Sequence, residues 1–538
     1  MKLRKTLSAM LCFVAVAIIL STKAGTYPAP IAEGSETIGL TLGAVTLLPA
    51  VLGVAMSFVT GNVVLSLLVG GFSGELLLAA INRYSVPHAF FRYCLALAET
   101  ASDPENCKVL MLCIIVGGMV EVIRKTGGFE CLARIISERI DTGKKACLIS
   151  ELLGIIIFFD DYANSLIIGP VLMPVTDRVR VSREKLAYIV DSTAAPVTGI
   201  AVISSWVAVE TSIINEGLLA AGMPAKGYLL FLRSIPYCFY CLFSLIFVFM
   251  ISLLGREYGP MLAAERRAQT GETVKGHKKV TRNEGVLEET RKNIRILIAI
   301  ISVLSMVVSA LVMFVVFGID DTITYVYYSS MIGSLTALML AAVFGIVSLK
   351  AGVQSWLKGG SDMFPTIVIL VLAWALASYS EKLGTVHYIL KLVSLNIPVF
   401  VVPLLFFIVC CIVSFAVGSF GCMFMVMPIA VPVALAISGI ESLDIGNRFL
   451  QLCIASVICG GIFGDHCSPV TDCTILSSIG CGCETMDHVV TQMPYALTVA
   501  AISIVAITIT SLGLPVFVSL LLGTIGITLV IWLAGKKP

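Results

Sequence analysis

Apolar runs of about 20 residues recur along most of this chain and are separated by short polar segments. A helix of that length crosses the hydrocarbon core of a bilayer. Only 13% of the 538 residues are charged, whereas soluble domains carry about 25%. The sequence therefore predicts an all-α polytopic membrane protein with about 11–12 transmembrane helices. A net charge of +2, with Lys and Arg clustered between the apolar runs, gives no indication of a nucleic-acid partner.

The N-terminal segment, residues 1–24, begins with basic MKLRK and continues into an apolar core followed by small side chains. That order is typical of a secretory signal peptide, and it also fits a short first span that is retained. We expect cleavage near Ala24, and the rest of the chain is interpreted in the same way in either case.

Basic loops give the predicted topology, because Lys and Arg mark loops on the cytoplasmic side of a membrane. Two such loops, at 124–145 and 178–185, flank residues 146–177, which are too few for two full crossings. We therefore expect a re-entrant hairpin that enters from the cytoplasm and carries FFDDYANS, residues 158–165, at its tip.

The polar segment 255–292 shows no apolar periodicity and predicts a flexible cytoplasmic linker. It would divide an N-terminal membrane half, residues 25–254, from a C-terminal half, residues 293–512. Residues 398–436 of the second half carry the small-residue turn GSFG and predict a second hairpin, which enters from outside. Residues 513–538 are expected to form a final span and a short cytoplasmic tail.

The two halves share an ordered set of motifs. DSTAAPVTGIAVISSW in the first half and GDHCSPVTDCTILSSIG in the second both place Pro-Val-Thr at the same interval before Ser-Ser. A pair of prolines four residues apart precedes each motif, at 170 and 174 and at 428 and 432. With the charge pattern, this order predicts two inverted-topology repeats with broken helices, a recurring plan of secondary transporters.

Five aspartates lie in apolar segments, at positions 160, 161, 191, 465 and 472. A carboxylate at mid-membrane costs about 2.5–3.5 kcal/mol even on lenient insertion scales. A cation, a proton or water must compensate for it. Two simpler interpretations stay open: Asp160 and Asp161 form a water-exposed turn, or Asp191 pairs with Lys185 at the membrane interface.

Carboxylate, amide and hydroxyl oxygens, together with unwound backbone carbonyls, suit Na⁺. A carboxylate in a dry pocket can bind a proton or a cation in turn, which is enough to build an antiporter. Of Asp160 and Asp161, one is expected to face the site and the other to cap a helix N-terminus. The candidate ion-binding residues are Asp160, Asp161, Asn164, Asp191, Thr193, Asp465, Ser468, Asp472 and Thr474, with Asp161, Asn164, Asp465 and Asp472 as Na⁺ ligands.

Other polar residues have plainer interpretations. Glu121, Glu210 and Glu381 fall near the ends of predicted spans and are expected at the membrane interface. His466 could relay protons beside Asp465. The cysteines near it match no CxxC zinc pattern, and we expect no resident cofactor.

Four stretches carry a family resemblance: FFDDYANSLIIGP, EKLAYIVDSTAAPV, GDHCSPVTDCTILSS and DHVVTQMPYAL. With them the chain resembles the NhaC family of Na⁺/H⁺ antiporters. The resemblance implies an inner-membrane secondary antiporter with two inverted halves, Na⁺ and H⁺ as transported ions, and a homodimer. By motif position it points to Asp161, Asn164, Asp191, Asp465, Ser468 and Asp472. The family also includes exchangers of organic acids, such as malate against lactate.

A Na⁺/H⁺-coupled organic-acid exchanger is therefore the second hypothesis. Its site would need a positive group or helix N-termini for the carboxylate, and the motifs contain no Lys or Arg at mid-membrane. An intramembrane aspartyl protease is a remote third, because the chain has GIFGD in place of GxGD. We expect a transporter and no enzyme.

Overall fold

The computed structural model describes residue 38 and residues 41–538, apart from 61, 138–139, 274–290, 318–321, 386–387, 389–397, 439–442 and 469–470. Within these limits the chain is helical, with no strand and one isolated antiparallel bridge between Glu257 and Lys536. The predicted all-helical class is confirmed. The signal-like segment 1–24 lies outside the described residues.

Twenty-one α-helices follow one another in the described part of the chain. Those up to residue 254 are α1 Leu48–Thr60, α2 Val63–Asn82, α3 Val86–Ser102, α4 Pro104–Thr126, α5 Gly128–Ser137, α6 Gly143–Ile156, α7 Asp161–Arg178, α8 Arg183–Thr198, α9 Ser205–Ala220, α10 Gly227–Ser234 and α11 Phe239–Leu254. Those after it are α12 Gly259–Gln269, α13 Lys292–Phe317, α14 Thr322–Val343, α15 Leu349–Asp362, α16 Phe364–Lys382, α17 Val402–Ile437, α18 Arg448–Cys467, α19 Asp472–Cys481, α20 Thr485–Ser511 and α21 Val516–Ala534.

Nine helical stretches among the described residues are long and apolar enough to cross a membrane, and the pair α10–α11, bent by 45°, makes up to ten. The chain is thus a multi-pass membrane protein. The apolar residues 186–213 do not form one of these spans, because they are divided between α8 and α9.

Each half has an interruption at the predicted hairpin tip. Four residues, IFFD at 157–160, separate α6 from α7, and α17 is broken at Gly418, inside the predicted GSFG turn. Both proline pairs lie in the second arm, on α7 and on the part of α17 after Gly418. The two predicted hairpins therefore share the same order of a helix, a break and a second helix with two prolines. The re-entrance of each hairpin stays a prediction.

Gly418 has φ 74° and ψ 176°, a backbone conformation that is essentially restricted to glycine. Replacing Gly418 with Ala should lower the stability of the folded protein by about 1–3 kcal/mol. The apparent melting temperature in detergent measures this loss. Gly526→Ala is the matched control, because a Cβ there meets only Ile502 Cδ1, at 4.0 Å. Equal melting temperatures for the two variants would contradict the expectation.

The first part of the predicted flexible linker, 255–292, is folded, which corrects that interpretation. Glu257 is fully buried and accepts hydrogen bonds from Lys185 Nζ and from Tyr495 Oη, the latter at 2.5 Å. Its backbone pairs with Lys536. The short α12 then buries Met261 with two alanines at helical spacing, a pattern too brief to register as periodicity. Residues 274–290 lie outside the described part.

A cavity of about 120 Å³ lies beside this contact and is lined by Lys185, Glu257 and Glu265, among others. Burial raises the pKa of the Glu265 carboxyl, although the Lys185 charge and hydrogen bonds from Ser182 oppose the rise. Ser182 donates to Glu265 Oε1 from its backbone nitrogen at 2.8 Å and from its hydroxyl at 2.6 Å. Residues of the predicted linker thus connect the first half, through α8, to the second half, through α20.

Candidate ion-binding site

Two helices follow the breaks after α8 and α18, namely α9 in the first half and α19 in the second, and we call them the interrupted helices. Each of them contacts the predicted hairpin of the other half. α19 packs against α7 and α8, and α9 packs against α17. At the first contact, Cys473 Sγ donates to Asp161 Oδ2 at 3.1 Å. At the second, the ring centroids of Trp206 and Phe420 are 4.4 Å apart. The two hairpin tips and the two helix breaks therefore form one continuous region.

Asp161 begins α7 and is 5% exposed. Its carboxylate accepts a hydrogen bond from Cys473 Sγ on α19, and the Trp206 side chain of α9 lies close to it. Asp160 is also buried, and its carbonyl accepts from Asn164 N at 3.1 Å, as expected at a helix start. Burial removes the alternative of a water-exposed turn, and the contacts favour Asp161 as the carboxylate that faces the site.

Asn164 joins the first hairpin to α8. Its Nδ2 donates to the carbonyl oxygens of Gly154, at 2.8 Å, and Thr193, at 2.9 Å. Its Oδ1 is buried without a hydrogen-bond partner in the described residues. The Thr193 hydroxyl bonds to Ile189 O at 2.9 Å, within its own helix. Thr193 thus offers its carbonyl to Asn164, while the amide oxygen of Asn164 stays available as an acceptor.

Asp191 is 0% exposed and belongs to the same region. Its Oδ2 accepts from Gln492 Nε2 at 2.6 Å, His488 Nε2 at 3.3 Å and Thr474 Oγ1 at 3.5 Å. Its Oδ1 is buried and meets no donor within the described part of the chain. Lys185 is bonded to Glu257, so the predicted alternative of a pair with Asp191 is not what the structure contains.

Asp465 lies at the end of α18, against the break in α17. Its Oδ1 accepts from Ser419 N at 3.4 Å, and its Oδ2 is buried with no partner among the described residues. Its backbone carbonyl accepts from the hydroxyls of Thr474 and of Thr471, the latter at 3.2 Å. The Thr474 hydroxyl thus lies between the Asp191 carboxylate and the Asp465 carbonyl.

The two remaining candidates lie at the break after α18. Ser468 is fully buried, its backbone nitrogen donates to Gly464 O at 2.8 Å, and its carbonyl accepts from Thr471 Oγ1 at 3.1 Å. Asp472 is the first residue of α19, and its side chain lies outside the described part. The structure therefore assigns Ser468 to the broken-helix backbone.

His466 lies behind Asp191 and contacts its backbone. His466 Nδ1 is 2.9 Å from Tyr240 Oη, and its Nε2 is 3.4 Å from the Asp191 carbonyl. The carbonyl of His466 accepts from Gln492 Nε2 at 2.6 Å. His466 therefore contacts the backbone behind Asp191, and its neighbour Asp465 points toward the second hairpin.

The carboxylates of Asp161 and Asp191 both lie within electrostatic range of the Asp465 carboxylate. An ionised carboxylate accepts hydrogen bonds and cannot donate them, and a buried acceptor without a donor is costly. In the described residues no three His, Cys, Asp or Glu side chains converge closely enough to hold a metal ion by themselves. A cation here would also need amide, hydroxyl or carbonyl oxygens, such as those of Asn164 and Thr474.

Residues 197–512 match the model of a family described as the Na⁺/H⁺ antiporter family. The match covers more than half of the chain and includes Asp465, His488 and Gln492. The chain belongs to the Na⁺/H⁺ antiporter family. This confirms the family that the four sequence motifs indicated, and it makes the protein a membrane transporter.

Relatives and solved structures agree with this family. An uncharacterised protein of Haemophilus influenzae is 31% identical over 491 residues, which are 86% of this chain and 90% of that protein. The YdaH transporter of Alcanivorax borkumensis has a similar fold, with a TM-score of 0.57, 13% identity, and coverage of 79% of this chain and 90% of its own. MtrF of Neisseria gonorrhoeae, described as illuminating a class of antimetabolite efflux pumps, aligns with a TM-score of 0.51, 12% identity, and coverage of 80% and 85%.

Two residues that contact the Asp191 carboxylate were not among the predicted site residues. His488 and Gln492 lie four positions apart on α20 and share one helix face. Both belong to DHVVTQMPYAL, which carried the family resemblance without a role for either side chain. Their spacing was the available signal, but the sequence did not indicate which element that face contacts.

Glu210 corrects a second prediction. Glu121 pairs with Arg124 at 2.5 Å and Lys358 at 3.0 Å, as an interfacial carboxylate would. Glu210, predicted to be interfacial as well, is 0% exposed. Because α9 starts only at Ser205, Glu210 lies in the second turn of a buried half-helix and not at the end of a span. The side chain of Glu381 lies outside the description.

Proposed function

We propose that this protein exchanges Na⁺ for H⁺ across the cell's inner membrane by alternating access. The observation that carries the proposal is the pair of carboxylate oxygens, Asp191 Oδ1 and Asp465 Oδ2, that are buried without hydrogen-bond partners among the described residues. The Thr474 hydroxyl contacts both residues, through Oδ2 of Asp191 and the backbone carbonyl of Asp465. Such oxygens need a positive charge or a proton.

Competition for these oxygens links the two ions. When Na⁺ occupies the site, the carboxylates are ionised and share its charge, with Asn164 Oδ1 as a neutral oxygen nearby. When the cation leaves, the buried carboxylates become stable by binding protons. Because the two occupants exclude each other, a change of access between them exchanges Na⁺ for H⁺.

An organic anion suits this region less well. Three carboxylates would repel it, and the start of α9 is already occupied, since Ser204 Oγ accepts from Trp206 N at 3.2 Å and Val207 N at 3.3 Å. The nearby Ser205 N donates to Phe159 O at 2.9 Å. A helix N-terminus with its amides bonded in this way has little left for a substrate carboxylate.

Everted membrane vesicles provide the test. We expect Na⁺ to collapse a preformed pH gradient in vesicles that contain the protein, while vesicles from the same host without it respond weakly. Li⁺, K⁺ and a panel of organic acids are added in parallel. Uptake of a labelled dicarboxylate without Na⁺-driven proton movement would reject Na⁺/H⁺ exchange in favour of the organic-acid hypothesis. Dimer formation, which the family resemblance implies, stays a prediction.

A further inference from the structure

Glu210 is unusual among the acidic side chains of the described residues, because both of its carboxylate oxygens are buried without a hydrogen-bond partner. The side chain is 0% exposed. Asp191 and Asp465, by comparison, each have one carboxylate oxygen that accepts a hydrogen bond. Glu210 therefore has no role in holding the helices together by hydrogen bonds.

The surroundings of Glu210 follow from helical spacing. Trp206, Glu210 and Gly217 lie on one face of α9. Trp206 contacts Phe420, and a Cβ on Gly217 would come within 2.7 Å of Val431, so that this face packs against α17. Glu210 thus belongs to the interface between a helix of the first half and the hairpin of the second half.

The titratable groups near Glu210 are thiols. Cys459 on α18 acts on it electrostatically, and so do Cys238 and Cys241 at the start of α11. None of these three can supply a positive charge. An ionised carboxylate with no partner in an apolar interior costs far more than its neutral acid. In this conformation Glu210 is therefore a neutral carboxylic acid that holds one proton.

Glu210 is also close to the ion site. Trp206, whose side chain lies close to the Asp161 carboxylate, precedes it by four residues. Four residues along an α-helix correspond to a rise of about 6 Å. Glu210 is thus a buried acid without a hydrogen-bond partner among the described residues. It lies one helical turn from the proposed ion site, in the interface between the two halves. This position would let it carry a proton during transport.

We propose that Glu210 is a proton-binding site of this transporter, separate from the carboxylates that bind the cation. This rests on the proposed Na⁺/H⁺ exchange. When α9 and α17 separate, water reaches the carboxyl group, its O–H bond breaks, and the proton passes to water while the carboxylate keeps the electron pair. A proton taken from water on the other side restores the acid before the helices close again.

Infrared spectroscopy of the purified full chain in lipid vesicles tests the protonation state. Glu210→Gln should remove one carbonyl band of a protonated carboxylic acid. Glu121→Gln is the matched control and should leave that band unchanged, because Glu121 lies between two cationic side chains. A carboxylic-acid band that persists in full in E210Q would overturn the proposal.

Transport in the same vesicles tests the role. E210Q should bind ²²Na⁺ as wild type does but lower Na⁺-driven proton flux by about a hundredfold, the scale of a lost proton-transfer group. Glu210→Asp keeps an acid and should retain both the band and most of the flux, which also guards against misfolding of E210Q. If wild type and E210Q show equal Na⁺-driven proton flux, the proposed role of Glu210 is rejected and the proposed exchange stands. Wild type without Na⁺-dependent proton movement would overturn the proposed exchange and this site with it.

Discussion

Replacing Asp465 with Asn should abolish Na⁺-driven proton movement. Asp465 Oδ1 accepts a long hydrogen bond from Ser419 N at 3.4 Å, and its Oδ2 has no hydrogen-bond partner among the described residues. Asparagine has nearly the same shape but can neither carry the negative charge nor bind the proton. Losing a charged partner costs on the order of 3 kcal/mol, which corresponds to about a hundredfold in cation affinity.

The measurement is the Na⁺-dependent collapse of the pH gradient in everted vesicles, with the amount of protein in the membrane determined in parallel. Asp444→Asn is the matched control, because Asp444 lies on the exposed loop before α18 and its Oδ1 contact with Gly446 N, at 2.8 Å, survives in an amide. D444N should transport as wild type does. Equal Na⁺ response in D465N and wild type would remove Asp465 from the ion site.

Replacing Lys185 with Met should strongly destabilise the fold. The Lys185 and Glu257 side chains are 7% and 0% exposed, and the change leaves a buried carboxylate without its cation. Removing one partner of a buried ion pair costs about 3–5 kcal/mol, because the remaining charge is uncompensated. The apparent melting temperature of the detergent-solubilised protein should fall accordingly.

The double variant K185M/E257Q separates this cause from a packing defect. Glutamine removes the stranded charge and can still accept the Tyr495 hydrogen bond, so we expect the double variant to recover most of the lost stability. Lys145→Met is the matched control, because its pair with Asp141 is 54% and 65% exposed and solvent screens such surface pairs, so that they contribute little to stability. A double variant no more stable than K185M would contradict the charge explanation.

Local signals in the sequence were sufficient to predict where the helices are broken. Gly418 stands in the GSFG turn, α8 ends with the first PVT motif, and α18 ends two residues before the second begins in the sequence. Glycine permits a conformation that other residues avoid, and proline cannot continue the hydrogen bonds of a helix. Both effects act over a few residues, so a single sequence records them.

Partners across the molecule could not be inferred in this way. His488 and Gln492 contact Asp191 from 297 and 301 positions away in the sequence, and Glu257 lies in a segment whose composition indicated a solvated linker. Glu210 appeared interfacial because the start of α9 was not recognised. In each case the function of the residue depends on which helices pack together, and that is decided by tertiary contacts over the whole chain.

The contacts at the two hairpin tips are alike in position but opposite in chemistry. One tip presents the Asp161 carboxylate to Cys473, whereas the other presents the backbone amide of Ser419 to the Asp465 carboxylate. An assembly of two identical short chains would have to carry the same residue at both tips. Under the predicted duplication, covalent fusion of the two copies lets each one diverge, so that a single chain can carry a negative charge at one hairpin tip and a hydrogen-bond donor at the other.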